Sequence, residues 1–174
     1  MQRGERECFM RIAVFSDSHG VKEPMLAAIE EQKPDMVLHL GDYVRDAEAI
    51  AAYFPSLDLR YVRGNCDAEV DQMVLNFPVL ADYAVLPVGQ RLVYVTHGHV
   101  FNLNHLPPLA PGDILLHGHT HVPAWTNFGQ GSLYLNPGSV SLPKENTAHS
   151  YMTLEGSTAC WKTMEGACYH QLQL

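Results

Sequence analysis

Basic residues are scarce in this 174-residue chain: 11 lysines and arginines stand against 19 aspartates and glutamates, for a formal net charge of -8. Affinity for long nucleic acid comes largely from cationic side chains displacing counterions from phosphates, so an extended nucleic acid is not expected as a partner. No apolar run approaches the roughly 18 residues a membrane span requires, and no basic start leads into an apolar stretch with a small-residue cleavage site. A cytoplasmic location with no membrane partner is therefore expected. Cys8, Cys66, Cys160 and Cys168 show no close metal-binding pairing and are expected to be reduced and mostly structural. Repeats, low-complexity tracts and linkers are also missing.

What is present fits one globular domain. Hydrophobic residues make up 47% and charged ones 17%, which excludes a disordered tail or a coiled coil. A chain of this length can bury roughly 70% of its unfolded surface. Residues 1–9 are polar and aperiodic and are expected to form an exposed extension, with residues 10–174 as the domain. The first half alternates strands (11–15, 35–40, 59–62) with helices, one opening near Pro24 and one over 47–53 capped by Asp46, which indicates a parallel α/β layer. After Pro78 strands dominate: a hairpin over 83–88 and 91–96 around Gly89-Gln90, a strand over 113–116, a second hairpin over 124–128 and 132–135, and closing strands over 151–154, 159–164 and 168–172. Two packed sheets with helices outside satisfy this order.

Four apolar runs end the same way, in a glycine or turn followed by a metal-capable side chain. They lead to Asp17 and His19, to Gly41-Asp42, to His97, and to Gly118-His119-Thr120-His121. Ligand sites at the carboxyl ends of strands are the rule for α/β sheets. With Asn65 after the third strand, the set is Asp17, His19, Asp42, Asn65, His97, His119 and His121. These nitrogen and oxygen donors suit borderline divalent ions, and seven are too many for one tetrahedral zinc. A carboxylate at Asp42 holding one cation with each oxygen makes a two-ion site. Two divalent ions bring four positive charges, Asp17 and Asp42 cancel two, and a bridging hydroxide a third. The surplus of about one matches the single charge of a phosphodiester, and ions roughly 4 Å apart would ionise the bridging water and clamp the phosphoryl oxygens.

Asp17-x-His19, Gly41-Asp42, Gly64-Asn65-x-Asp67, His97 and Gly118-His119-x-His121, in this order, resemble the signature of the calcineurin-like metallophosphoesterases. The Val-Arg-Gly-Asn-Cys-Asp form of the third motif and the Asn136-Pro137-Gly138-Ser139 turn resemble the small, cap-free YfcE-type phosphodiesterases. The resemblance implies a four-layer αββα sandwich of two mixed sheets flanked by helices, acting on a small phosphodiester. It implies Asp17, His19, Asp42 and His121 around one ion, and Asp42, Asn65, His97 and His119 around the other. Manganese is the ion expected first, with nickel, cobalt, iron, zinc or magnesium as alternatives. Cys66 departs from the pattern, because many members carry there a histidine that protonates the leaving group, beside an aspartate equivalent to Asp67. Cys66, Asp67 and His99 are thus the candidates for catalytic proton handling, and Arg63, Asn65 and His97 for substrate binding.

Plainer readings stand beside these. His39 and His117 read as packed structural histidines, while His105, His149 and His170 read as surface residues. Asp67 reads equally as a turn cap or as the support of a histidine ligand. Trp125, Phe128 and Tyr134 read as hairpin packing. The same activity class includes a phosphomonoesterase as an alternative, and a retromer coat subunit of similar fold makes a protein-interaction scaffold the competing class. Exposed edge strands leave a homo-oligomer open.

Overall fold

The first strand shows how the layers arise. In β1 (Arg11–Phe15) Ile12 and Val14 point to one face and Ala13 and Phe15 to the other, and all four are buried, so this strand needs a partner layer on each side. The structure, a computed structural model, describes residues 9–80 and 82–174. The expected extension falls mostly on residues 1–8, outside the described residues.

The chain continues through α1 (Glu23–Gln32), β2 (Met36–His39), α2 (Val44–Tyr53), β3 (Asp58–Val62), a 3-10 turn at Ala68–Gln72 and β4 (Val79–Leu80). It then forms β5 (Ala84–Val88), β6 (Arg91–Val95), β7 (Ile114–Leu116), β8 (Ala124–Phe128), β9 (Ser132–Asn136), β10 (Ser150–Glu155), β11 (Thr158–Thr163) and β12 (Cys168–Gln173). Seven strands make one sheet, in the order β12-β11-β10-β1-β2-β3-β4, and five make the other, in the order β5-β6-β7-β9-β8. Both sheets are mixed. β1, β2 and β3 run parallel, as do β6, β7 and β9, so their carboxyl ends meet along one rim.

Between the sheets lies the main apolar layer, in which Val14, Leu38 and Trp161 face Val95, Leu116 and Leu135. The Trp161 indole donates to the Asn136 carbonyl at 2.7 Å and so ties the sheets together across this layer. α1 places Met25, Ala28 and Ile29, and α2 places Val44, Ala47 and Ile50, on the outer face of the seven-stranded sheet. α1 opens with proline in its first turn and stops at Lys33, a left-handed cap whose N–H returns to Ile29. Two mixed sheets with helices are therefore found, both α-helices among the described residues lying on the seven-stranded sheet. Over the five-stranded sheet, Tyr94, Leu115 and Tyr134 are covered by Leu109, Tyr83 and Phe128, with the Tyr94 hydroxyl donating to the Pro108 carbonyl at 3.0 Å. Among the described residues no helix is long and apolar enough to cross a membrane.

Three local expectations are corrected. α2 begins at Val44 with Tyr43 as its N-terminal flank, so Asp46 lies inside the first turn, where its carboxylate accepts from the Gly20 N–H at 2.8 Å. Cys160 and Cys168 form a disulfide between β11 and β12, because the hairpin folds together two residues that the sequence keeps eight apart. His170 is half-buried rather than on the surface, stacked face to face on Trp125 at 3.8 Å with Trp161 against its edge.

Candidate metal centre

Backbone conformation singles out the rim where the parallel strands end. Asp17 (φ 54), His19 (φ 44), Asp42 (φ 65), His119 (φ 62) and His121 (φ 62) all sit in the left-handed region that side chains other than glycine avoid. Such residues cost about 1–3 kcal/mol each and persist where the surroundings over-determine them. The effect is to turn each side chain off its strand end into one space. Gly41 (φ 104) permits the approach, since a Cβ there would lie 2.7 Å from the Val62 carbonyl and 2.8 Å from His97 Nδ1. Gly64 and Gly118 permit it too: a Cβ on either would strike the Asp42 carboxylate or the Ser16 hydroxyl.

The side chains converge acceptor against acceptor. His97 Nδ1 donates to the Leu40 carbonyl at 2.7 Å, which leaves a lone pair on Nε2. That Nε2 faces Asn65 Oδ1 at 3.0 Å, His119 Nδ1 at 3.2 Å and Asp42 Oδ1 at 3.5 Å. His121 repeats the pattern, with Nδ1 on the Leu142 carbonyl at 2.7 Å and Nε2 turned to Asp17 Oδ1 at 3.4 Å. Asp17 Oδ1 and His19 Nε2 are buried without a hydrogen-bond partner. Asp42 lies between two histidines, Oδ2 toward His19 at 3.7 Å and Oδ1 toward His97 at 3.5 Å. Buried acceptors facing one another are repulsive, and a cation among them reverses the sign. Three groups have ligand atoms within 4.8 Å of one another: Asp17, His19 and His121; His19, Asp42 and Cys66; and Asp17, Asp42 and His97. The residues present therefore fit divalent metal ions.

Titration supports the same reading. Burial holds His97 down to about 4 and also lowers His119, so both are neutral donors at pH 7. Burial pushes Asp17 up to about 7, against the opposing hydrogen bond from Ser16, and a cation beside it would favour the ionised form. For Asp42 burial pulls upward, but His97 and the Cys66 N–H outweigh it and the net shift is downward. The Cys66 thiol is raised by its partial burial and by Asp42, so it stays protonated.

The remaining candidates fall elsewhere. Asp67 is buried and its carboxylate accepts from five donors: the N–H groups of Asp42 (3.1 Å), Tyr43 (2.8 Å), Val44 (3.0 Å) and Gly64 (2.8 Å), and the Tyr61 hydroxyl (2.6 Å). A carboxylate so occupied supports the Asp42 loop and caps α2, which corrects its placement among the proton-handling residues. Arg63 forks onto Asp71 with two bonds of 3.0 Å, so its charge is already engaged at the surface. His99 is exposed, its ring 5.3 Å from that of His97. His39 and His117 are buried, each with a backbone contact at Nδ1. Sequence reasoning missed the supports: Ser16 on Asp17 Oδ2 (2.6 Å), Tyr61 on Asp67, and Asn136, whose amide holds the Gly118 carbonyl and the Thr120 hydroxyl, both at 3.0 Å. Only the Asn136 turn left a trace in sequence. A larger cleft of about 820 Å³ opens at the opposite rim, between the turns at Gly89 and Gly156, but no histidine lines it among the described residues.

A mixed two-sheet sandwich with histidines and carboxylates gathered at its parallel strand ends defines the class of metal-dependent phosphoesterases. The chain belongs to the calcineurin-like phosphoesterase superfamily, whose family model matches residues 10–159. Membership implies divalent metal ions. Phosphodiesterase YfcE of Escherichia coli K12 is 45% identical over 162 residues, 84% of this chain and 88% of that protein. A probable metallophosphoesterase of Bacillus subtilis, YsnB, is 31% identical over 86% of this chain and 88% of its own. The solved structure of YfcE, described as a phosphoesterase, superposes with a TM-score of 0.82 over 94% of this chain and 99% of that one, at 30% identity in the structural alignment. Vps29 of Entamoeba histolytica superposes with a TM-score of 0.67 at 21% identity over 95% of this chain, a likeness of fold.

Proposed function

We propose that the chain hydrolyses small phosphodiesters at a pair of divalent ions held by Asp17, His19, Asp42, Asn65, His97, His119 and His121. The observation that carries this reading is the set of buried acceptors facing one another, with Asp17 Oδ1 unpartnered and each oxygen of Asp42 turned to a different histidine. YfcE, similar along most of the chain, is a phosphodiesterase. Manganese is the first choice of ion; nickel, cobalt, iron and zinc also accept mixed nitrogen and oxygen donors, and magnesium, which prefers oxygen alone, is the remaining alternative.

When bound, such ions supply positive charge to the phosphoryl oxygens and lower the pKa of a water beside them. The chain supplies the rest. The Leu40 and Leu142 carbonyls orient His97 and His121 with Nε2 inward. Asp42 stands between the two halves of the site, held by the Cys66 N–H at 2.9 Å. The Cys66 thiol stands protonated at the mouth beside Asp42, its pKa raised rather than tuned for proton release. A thiol is a weaker donor than an imidazolium, so esters with good leaving groups are favoured.

Hydrolysis of an activated aryl phosphodiester should appear with added manganese, exceed that of the matching monoester, and vanish in Asp42→Ala. Elemental analysis of loaded protein should give two ions per chain. One ion, or activity that survives Asp42→Ala, would remove the bridging role.

A further inference from the structure

A cavity of about 410 Å³ opens beside the centre, within the range of roughly 300–1,000 Å³ typical of small-molecule sites. His119 borders both the cavity and the ion-holding cluster, so a group esterified to a phosphate at the cluster would extend into it. The floor is His117 packed on Tyr134 with ring centroids 4.7 Å apart, and the walls are Leu103, Asn104 and His99.

The wall is held in place without a ligand. Asn102 Nδ2 donates to the Gly98 carbonyl at 3.1 Å, and its Oδ1 accepts from the N–H groups of Asn104 at 2.9 Å and His105 at 3.2 Å. Phe101 stacks on His105 at 4.9 Å and meets Tyr83 edge-on at 5.3 Å, which fastens the loop to the sheet. The cavity is thus pre-organised, and binding does not have to order it.

One polar feature selects what enters. His117 Nδ1 lies 2.9 Å from the Gly118 carbonyl and donates to it, so Nε2 carries the lone pair of the neutral ring. Among the described residues Nε2 has no hydrogen-bond partner, and His117, though 2% exposed, lines the cavity. A flat ring placed between Leu103 and the tilted His117–Tyr134 pair would bring a ring N–H toward that acceptor.

We propose that this cavity is the specificity pocket, and that the substrate is a phosphodiester with one arm ending in a heteroaromatic ring bearing an N–H donor. The proposal rests on the phosphodiesterase reading for its substrate but on the cavity alone for its ligand. Thymidine, which has the ring and one ring N–H but no phosphate, tests the second part directly. Added to metal-free protein, it should shift backbone amide resonances of residues 98–105 and 117–120. N3-methylthymidine, which lacks the donor, should bind about fivefold to tenfold more weakly. Asn104→Trp, whose side chain enters the cavity from an exposed loop, should abolish both sets of shifts. In turnover, the manganese-loaded chain should cleave the p-nitrophenyl ester of thymidine 5′-phosphate at least about tenfold better in kcat/KM than ethyl p-nitrophenyl phosphate. The ratio should fall toward one in Asn104→Trp. Equal binding of the two nucleosides, shifts that survive Asn104→Trp, or a native ratio near one would each overturn the proposal. Loss of turnover on both esters with the thymidine shifts intact would instead refute the phosphodiesterase reading and with it the substrate assignment.

Discussion

Replacing Asp67 separates support from catalysis. Its side chain is 1% exposed and takes five hydrogen bonds, three of them from the Asp42-Tyr43-Val44 backbone that aims the Asp42 carboxylate. Asp67→Ala leaves four N–H groups and the Tyr61 hydroxyl without an acceptor. Each buried orphan costs about 1–3 kcal/mol, but water can reach part of this loop beside exposed Asn65 and Cys66, so a total of about 4 kcal/mol is reasonable. That is a large share of the ~5–15 kcal/mol that holds a domain together, and at ~2–4 °C per kcal/mol it lowers Tm by about 10 °C. Asp67→Asn keeps one acceptor oxygen but turns an NH₂ against donors, for about 2–3 kcal/mol, while Tyr61→Phe removes one bond for about 1.5 kcal/mol. Calorimetry should therefore rank Tm as native, Tyr61→Phe, Asp67→Asn, Asp67→Ala. Manganese affinity should fall in the same order, because a loosened Asp42 loop weakens both. At saturating manganese, kcat of Asp67→Asn should stay within about tenfold of native with an unchanged pH profile. A native Tm with kcat reduced more than a hundredfold and a displaced pH profile would refute this account and restore Asp67 as a proton-transfer group.

Gly64→Ala drives a methyl into the Asp42 carboxylate and against its backbone nitrogen, so activity should drop about a hundredfold and Tm should fall by what about 1–3 kcal/mol dictates; a native kcat would show that Asp42 tolerates displacement. Cys66→His places an imidazole where the thiol stands, and should raise kcat for alkyl esters more than for p-nitrophenyl esters; the opposite order would exclude proton donation from this position. Burial holds His39, His97 and His117 near 4 whereas the unfolded chain protonates them near 6.5, so between those values the unfolded state binds more protons and stability falls as pH drops. Asp17, pushed up to about 7 from 3.8, opposes them, but three histidines outweigh one carboxylate, so the urea midpoint of metal-free protein should be lower at pH 4.5 than at pH 7; equal midpoints would refute the balance.

The strands and the converging loops were legible because both rest on local pattern. An apolar run that ends in glycine and a ligand residue is written in neighbouring positions, and β1, β2, β3, β6 and β7 all end as that pattern required. What was not legible depends on distant parts of the chain meeting. Asp67 carries the same sequence context whether it handles protons or binds backbone, and only the approach of Asp42 and Tyr61 decides. Asp46 looks like an N-cap until Asp67 is seen to take the N–H groups of Tyr43 and Val44. Cys160 with Cys168, and His170 with Trp125, are pairs that exist because the closing hairpin and β8 lie side by side.

The left-handed conformations at the rim join fold and function in one argument. Five ligand residues in that region, at about 1–3 kcal/mol each, would be a burden comparable to the whole stability of a domain if nothing compensated it. The compensation comes from the supporting contacts: Gly41 accepting from the Asp17 N–H at 3.1 Å, Asp67 beneath Asp42, and Leu142 and Leu40 behind the histidines. The strain is therefore fixed by the scaffold before any ion arrives. An ion entering such a site relieves acceptor repulsion without reorganising the loops, so metal binding should raise Tm while the amide resonances of β1, β2 and β7 stay in place.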